Sequence, residues 1–384
     1  MPEGKKQKVL IVHNYYQIPG GEDTVVANEK KLLEDHGHEV VLYTRHNNEL
    51  KSMGKLKKLL LPFTTIYNPR TYREVKKIIK EQNIDIVHVH NTLNLISPSV
   101  YYAARKCGVP VVQTIHNFRL LCPGATFYRD GHICEDCVSK GLGCAVKHGC
   151  YRGSKAQTLV CVLSTWLHRI TGIYGKINYI CLTEFNKEKL LQLKQIKPER
   201  VFVKPNFVDS EESGGERSGF IFAGRLDELK GIRVLVEAWK LMGPDAPHLT
   251  ICGTGPLEEW CREQIKGLNV EMKGFVDNAE AKRLIAQSQA LILPTLWYEG
   301  FPMSIVEAYA MGTPVICSDL GNAGSVVEEG VTGWKFETGS AEGLAEKVKG
   351  WSDISEGVKA VYEEKYTAER NYEMLNGIYQ DMKR

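Results

Sequence analysis

The sequence predicts an α/β protein of two doubly wound, Rossmann-like domains, and three observations lead there. Its 384 residues are enough for two separate cores. Buried-strand patterns alternate with helical ones through the first half, the sign of a parallel sheet covered on both faces. A polar, glycine-containing stretch, Ser210–Ser218, then precedes a second strand–helix series that opens at Gly219. The boundaries that follow are 1–205 for the first domain, 206–218 for a linker, 219–365 for the second domain and 366–384 for a closing helix.

In chain order, Lys8–His13 (KVLIVH) is a buried strand, and the loop His13–Glu22 leads into a helical pattern over Thr24–His36. Gly20 and Gly21 therefore fall at a strand-to-helix turn, where backbone N–H groups can approach a phosphate. A plain tight turn is the alternative, because the spacing is not G-x-G-x-x-G. Strands recur at Glu39–Tyr43, Ile84–Val89 and Val109–Thr114, with helices near Tyr72–Lys80 and Val100–Lys106. His116 follows VVQTI directly, at a strand end, which is where open α/β sheets bind ligands. An imidazole there suits hydrogen bonding or proton transfer, with a structural histidine as the plainer reading.

Lys51–Pro62 (KSMGKLKKLLLP) sets Lys55, Lys57 and Lys58 among Leu56, Leu59, Leu60 and Leu61. At helical spacing it reads either as a helix lying on an anionic membrane or as a core-facing helix with solvated lysines. The first 205 residues carry 31 basic and 17 acidic side chains, net +14, and the remainder 18 and 29, net −11. A basic half favours an anionic surface, and no nucleic-acid motif accompanies it. Met1–Lys8 is polar and the VLIVH that follows is too short for a secretory or membrane segment. The expected location is cytoplasmic, peripheral on the inner face of the cell membrane.

Five cysteines crowd one insertion, 122–150: Cys122, Cys134, Cys137, Cys144 and Cys150. Cys134 and Cys137 form a C-x-x-C to which Cys122 and Cys150 can add two thiolates for a structural zinc. Free thiols and a redox-sensitive loop are the other readings, and a cytosolic chain disfavours disulfides.

Past the strand and Pro-Asn turn of Val201–Asp209, the second domain opens with Phe220–Trp239 (FIFAGRLDELKGIRVLVEAW), which reads strand, loop, helix. Arg225 and Lys230 flank the helix start, one a planar donor fork and the other a movable point charge, and both suit a diphosphate. Glycine turns follow at Leu249–Gly255, with Gly253 and Gly255, and at Lys273–Val276, with Phe275 and Val276. The run Leu293–Ser318 (LPTLWYEGFPMSIVEAYAMGTPVICS) then reads as strand Ala290–Leu293, loop Trp297–Pro302 and helix Met303–Met311 ended by Gly312. Glu299 lies beyond the strand end, and Glu307 on the early helix, near N–H groups that attract anions.

This acidic run and the Gly224–Gly231 stretch, G-R-L-x-x-x-K-G, resemble the signatures of the retaining nucleotide-sugar glycosyltransferases of family four, group 1, and the likeness extends over nearly the whole chain. It implies the GT-B fold, two domains facing each other across a cleft. By the same resemblance Arg225 and Lys230 hold the donor diphosphate, with Gly253 and Gly255 bordering the phosphates and the loop at Phe275 and Val276 taking the base. Glu307 accepts from the ribose, the turn Phe301, Pro302, Met303 and Ser304 lies at the donor, and Glu299 holds a sugar hydroxyl. Gly20 and Gly21 cover the diphosphate, and His116 stands beside the reacting sugar. Pro302 departs from the common E-G-F-G run and removes one backbone donor.

The expected activity is metal-independent, retaining transfer of a hexosyl group from a UDP- or GDP-sugar to a lipid-linked or saccharide acceptor, in polysaccharide or glycolipid synthesis. No cofactor is required for it beyond the donor itself. A nucleotide-sugar epimerase and a non-catalytic nucleotide-sugar-binding subunit remain the alternatives.

Overall fold

The computed structural model describes residues 6–17, 20–209 and 216–383. The chain divides into two units, one of Met1–Arg129, Cys134–Lys204 and Tyr372–Arg384, the other of Asp130–Ile133 and Pro205–Asn371. Residues 210–215 of the predicted linker lie outside the described residues.

In the first unit β1 (Lys8–Tyr15), α1 (Gly21–Asp35), β2 (Glu39–His46), α2 (Glu49–Ser52), α3 (Lys55–Ile66), α4 (Pro69–Glu81), β3 (Ile86–Asn91), α5 (Ser99–Lys106) and β4 (Val111–Ile115) follow one another. A short hairpin, β5 (Tyr128–Arg129) and β6 (His132–Ile133), comes next in the chain, then α6 (Asp136–Ser139) and α7 (Gly143–His148). The long α8 (Lys155–Ile170), β7 (Asn178–Cys181), α9 (Glu184–Leu191) and β8 (Val201–Val203) complete the series. The six long strands form one parallel sheet in the order β2-β1-β3-β4-β7-β8. Strand order reverses between β1 and β3, so the crevice at their C-terminal ends is the expected ligand position. The β1–β3 register shifts there, at Val12/His13.

β3 (IVHVHN) is buried at every residue, as a central strand covered on both faces must be, although two of its side chains are imidazoles. Its neighbour α1 begins at Gly21, earlier than the hydrophobic period suggests. Asp23 accepts from the Gly20 N–H at 3.1 Å, and the carboxylates of Glu22 and Asp23 suit a helix N-terminus. The predicted helix over 51–62 is also corrected: the chain breaks at Met53–Gly54, and α3 passes through Pro62 to Ile66. Pro62 removes one intrahelical hydrogen bond, and the Thr64 hydroxyl returns one to the Leu61 carbonyl at 3.2 Å.

The last helix, α17 (Ala368–Asp381), sends Leu375, Ile378 and Tyr379 into one core cluster with Val9, Ile11, Val26, Leu33 and Ile86. Burying such a set removes on the order of 25 cal/mol per Å² of apolar surface from water and fixes the helix to the sheet.

The second unit runs β9 (Phe220–Ala223), α10 (Ile232–Met242), β10 (Leu249–Cys252), α11 (Glu258–Gln264), β11 (Val270–Gly274), α12 (Asn278–Ala286) and β12 (Ala290–Leu293). Then come α13 (Met303–Ala310), β13 (Val315–Ser318), α14 (Gly321–Val326), β14 (Gly333–Phe336), α15 (Ala341–Lys349) and α16 (Ser355–Lys365). Its sheet is again six parallel strands, β11-β10-β9-β12-β13-β14, with the reversal at β9/β12. Two apolar clusters cover the two faces, one around Trp239 and Leu235, the other around Tyr309 and Ile305.

Candidate functional site

In the second unit a cavity of about 420 Å³ opens at the strand reversal, a volume in the range of small-molecule sites. Arg225, Gly253, Phe275, Val276, Ser304 and Glu307 line it, so β9, β10, β11 and α13 each deliver a predicted residue to one place. Glycines make the approach of these elements possible. A Cβ at Gly231, whose φ is +71°, would sit 1.7 Å from the Pro294 carbonyl oxygen, so α10 can begin against the end of β12 only with glycine there. Gly253, at φ +130°, meets the Gly224 carbonyl in the same way, and Gly255 meets that of Leu226. These two glycines serve backbone packing between the β9 and β10 loops.

Lys230 reaches Glu299: Nζ lies 2.8 Å from Oε1, which also accepts from the Thr295 hydroxyl at 3.0 Å. Glu299 is 6% exposed. Asn322 donates to the backbone carbonyls of Glu299 and Gly300 and fixes the loop that carries the carboxylate. Arg225 is exposed and leans on Asp227, Nε to Oδ2 2.8 Å, while Asp227 also accepts from the Lys230 N–H at 3.0 Å. Asp227 therefore holds both cation-bearing positions of the loop, a role that sequence reading missed although Asp227 stands inside the motif. Phe301 and Met303 pack on the Tyr309 cluster and Pro302 is the buried residue before α13, so of the predicted turn only Ser304 lines the cavity. Phe275 is 79% exposed.

In the first unit His116 stands one residue past β4, partly buried, on the wall of a smaller cavity with Asn117 and Arg119. Its Nε2 lies 3.0 Å from His90 Nδ1, and the two rings stack at 5.3 Å. Behind them His90 Nε2 is 3.3 Å from Glu29 Oε2, and Glu29 Oε1 is 2.6 Å from Lys204 Nζ. His88 completes the group, with Tyr379 OH at 2.7 Å from Nδ1 and Thr114 Oγ1 at 2.8 Å from Nε2. Burial lowers the pKa of His116 to about 3 against the opposing pull of Glu29, and that of His88 to about 4, so both imidazoles are neutral at ordinary pH. Burial also works to raise the Glu29 pKa, but Lys204 and the histidines outweigh it and hold the carboxyl below its usual range. Nothing in a linear sequence joins Glu29 to Lys204; the available signal was the H-x-H of β3, which puts His88 and His90 on one face.

Beside this group, His13 Nε2 lies 2.7 Å from Asp23 Oδ1. Burial, with Asp23 adding, pushes the Glu22 carboxyl up to about 8, although it accepts from Tyr16 OH at 3.1 Å. Gly20 has no atom within 4 Å of where a Cβ would stand, and Gly21 is the first residue of α1. Ile18 and Pro19 lie outside the described residues.

All eleven cysteines are unbridged. Burial lifts the Cys137 thiol to about 12, with Cys122, Cys150 and Cys144 near enough to add to the shift, and Cys137 packs with Leu142, Ala145 and Val162. Among the described residues, Glu29, His88 and His90 are metal-ligand types whose donor atoms lie within 4.8 Å of one another.

Two family models match the chain: "Glycosyltransferase Family 4" over residues 19–135 and "Glycosyl transferases group 1" over 217–352. The phosphatidyl-myo-inositol mannosyltransferase of Mycolicibacterium smegmatis is 27% identical over 357 residues, covering 86% of this chain and 80% of that protein. An uncharacterized 41.2 kDa protein in the cps region of Klebsiella pneumoniae is 21% identical, over 96% and 98% of the two chains. Among solved structures, a glycosyltransferase from Rickettsia africae superposes with a TM-score of 0.69 at 18% identity, covering 99% of this chain and all of that one. Anabaena Alr3699/HepE in complex with UDP gives 0.66 at 17% identity, over 97% and 99%. With two parallel six-stranded sheets and both family models in sequence, the chain has the GT-B fold and belongs to the family 4, group 1 glycosyltransferases.

Proposed function

We propose that this glycosyltransferase moves a sugar from a UDP- or GDP-sugar to a lipid-linked or saccharide acceptor, with retention at the anomeric carbon, in polysaccharide or glycolipid synthesis. The observation that carries the reading is the single cavity that gathers Arg225, Phe275, Val276, Ser304 and Glu307. Sugar transfer passes through an oxocarbenium-like state as negative charge grows on the leaving diphosphate. Arg225, Lys230 and the N-terminus of α13 supply preorganised positive charge for that departure without a divalent ion. Glu307 accepts from the ribose, Phe275 and Val276 border the base, Glu299 takes a sugar hydroxyl, and His116 serves the reacting sugar.

The mannosyltransferase relative and the UDP-bound neighbour support a nucleotide-sugar donor, and retention rests on the likeness of the Glu299–Glu307 run to the family signature. The test is incubation with labelled UDP- and GDP-sugars and a membrane extract, with the product's anomeric configuration read by NMR. Transferred sugar in the donor's configuration is expected. Epimerised free donor points instead to the epimerase, and unchanged donor to a binding subunit.

The first unit is read as meeting an anionic membrane. Nine of the thirteen exposed large hydrophobics among the described residues lie on α3 and α8, which pack together, so the patch is concentrated and not scattered. Leu56, Leu59, Leu60 and Phe63 come from α3, and Leu163, Trp166 and Ile170 are among those from α8. On α3 Thr65 alone is buried, which disfavours the core-facing alternative. Residues 50–73 and 137–183, which contain the two helices, hold no Asp or Glu, so the flank is purely basic. No helix among the described residues is long and apolar enough to cross a membrane. Co-sedimentation with phosphatidylglycerol-containing vesicles at low salt, lost when Lys51, Lys55, Lys57 and Lys58 become glutamate, is expected; absence of wild-type binding refutes it.

A further inference from the structure

We propose that Glu29 and His90 are positioning residues that lock His116 as the Nε2–H tautomer and leave its Nδ1 lone pair for a sugar or acceptor hydroxyl. The proposal rests on His116 serving the reacting sugar and adds what sets its protonation pattern.

The argument is directional. A neutral imidazole carries one N–H and one lone pair. Glu29 Oε2 and His90 Nε2 are both buried, neither has an aligned hydrogen-bond partner, and they face each other at an ion-pair distance of 3.3 Å. An ionised carboxylate can only accept, so His90 presents N–H at Nε2 and its lone pair at Nδ1. That lone pair faces His116 Nε2 at 3.0 Å, so the hydrogen on this contact belongs to His116. The proton of His116 is thus committed inward, and Nδ1 is the atom able to accept from a hydroxyl. Lys204 keeps the charge at the head of the chain, with its ammonium 2.6 Å from Glu29 Oε1 and both side chains fully buried.

Glu29, His88 and His90 are also metal-ligand types gathered within 4.8 Å. The geometry favours the relay over a cation: Lys204 already neutralises Glu29, and both His88 nitrogens are engaged, one by Tyr379 and one by Thr114. His88 Nδ1 is also farther from Glu29 Oε2, at 3.8 Å, than His90 is.

The test is the tautomer of His116, read by long-range ¹H–¹⁵N correlation on histidine-labelled protein, alongside kcat and KM for sugar transfer. Wild type is expected to show His116 protonated at Nε2. His90→Phe should admit the Nδ1–H form and lower kcat on the order of tenfold to a hundredfold, part of what a general acid–base group supplies, with the donor KM little changed. His90→Asn puts an acceptor oxygen near the Nδ1 position and should restore most of both signals. Should His90→Phe fail to fold, the double variant Glu29→Gln with Lys204→Met removes the lock without stranding an ammonium and should give the same spectrum. A wild-type His116 protonated at Nδ1 overturns the proposal, as does a folded His90→Phe with an unchanged tautomer and kcat. His116→Ala separates the two readings: wild-type turnover in that variant refutes the role of His116 in transfer, while the wild-type spectrum still decides the lock.

Discussion

Replacing Lys230 by alanine removes an ammonium held 2.8 Å from Glu299 Oε1, and the structure predicts two separable costs. The first is catalytic. One preorganised donor at a developing charge contributes roughly 2–4 kcal/mol to the transition state. At about 1.36 kcal/mol per factor of ten, kcat should fall on the order of 30- to 1000-fold. The second is a stability cost. Glu299 is nearly buried and loses its cation but keeps the Thr295 hydroxyl at 3.0 Å, and Lys230 itself is 27% exposed. The expected loss is therefore that of an under-partnered polar group, about 1–3 kcal/mol, and not the roughly 3–5 kcal/mol of a fully buried pair broken in half.

Arg225→Ala is the control, since Arg225 is 67% exposed and its carboxylate partner Asp227 keeps another bond. It should show a catalytic loss of similar size with little change in melting. Initial rates at saturating donor and acceptor, paired with thermal melts, read both costs. A folded Lys230→Ala that turns over at the wild-type rate refutes the assignment of Lys230 to the leaving diphosphate.

Glu307→Ala should weaken binding of the nucleoside diphosphate alone as well as of the intact donor, whereas Glu299→Ala should weaken only the intact donor; calorimetry giving equal losses for both ligands in both variants contradicts this division. Glu22 supplies a pH prediction, because its folded pKa of about 8 lies above the usual carboxyl value of 4.5. Its contribution to stability is fully present below the unfolded value and is lost as pH rises through about 8, with a slope of at most about 1.36 kcal/mol per pH unit. Buried His88 and His116 act in the opposite sense, losing their contribution only as pH falls below 6.5 through about 4 and 3, so melts between pH 6.5 and 8.5 isolate Glu22. Glu22→Gln should flatten that limb, and an unchanged slope refutes it. If Cys122, Cys134, Cys137 and Cys150 hold a structural zinc, the buried Cys137 thiol must ionise; elemental analysis should find about one zinc per chain, and chelation should lower the melting temperature. Metal-free protein of full stability leaves the cysteines as packing thiols.

The parts legible in the sequence were those with a local cause. β12 lies at Ala290–Leu293 as its apolar run indicates, and the loop from Arg225 to Gly231 follows β9 because strand, turn and helix signals sit side by side. His116 lies at a strand end because VVQTI ends there. The basic, leucine-rich character of α3 was equally plain, since charge and spacing are properties of the segment itself. Its continuation through Pro62 was not, because a proline's local penalty gives no account of what the helix packs against. α8 went unrecognised for a related reason: KAQTLVCVLSTWLHRI is apolar on most sides, and only its packing beside α3 shows which leucines stay exposed. Gly253 and Gly255 read as ligand-facing turns, and Gly253 does line the cavity; that both also let the β9 and β10 loops pack backbone to backbone could not be read without the neighbouring carbonyls. The Glu29–Lys204 pair joins residues 175 positions apart. Side-chain chemistry told that such groups need partners when buried, but tertiary packing chose Lys204 for Glu29, His90 for His116 and Tyr379 for His88: β3 lies beside β4, and α1 and α17 pack on the same sheet, so residues meet whose separation along the chain carries no information about their contact.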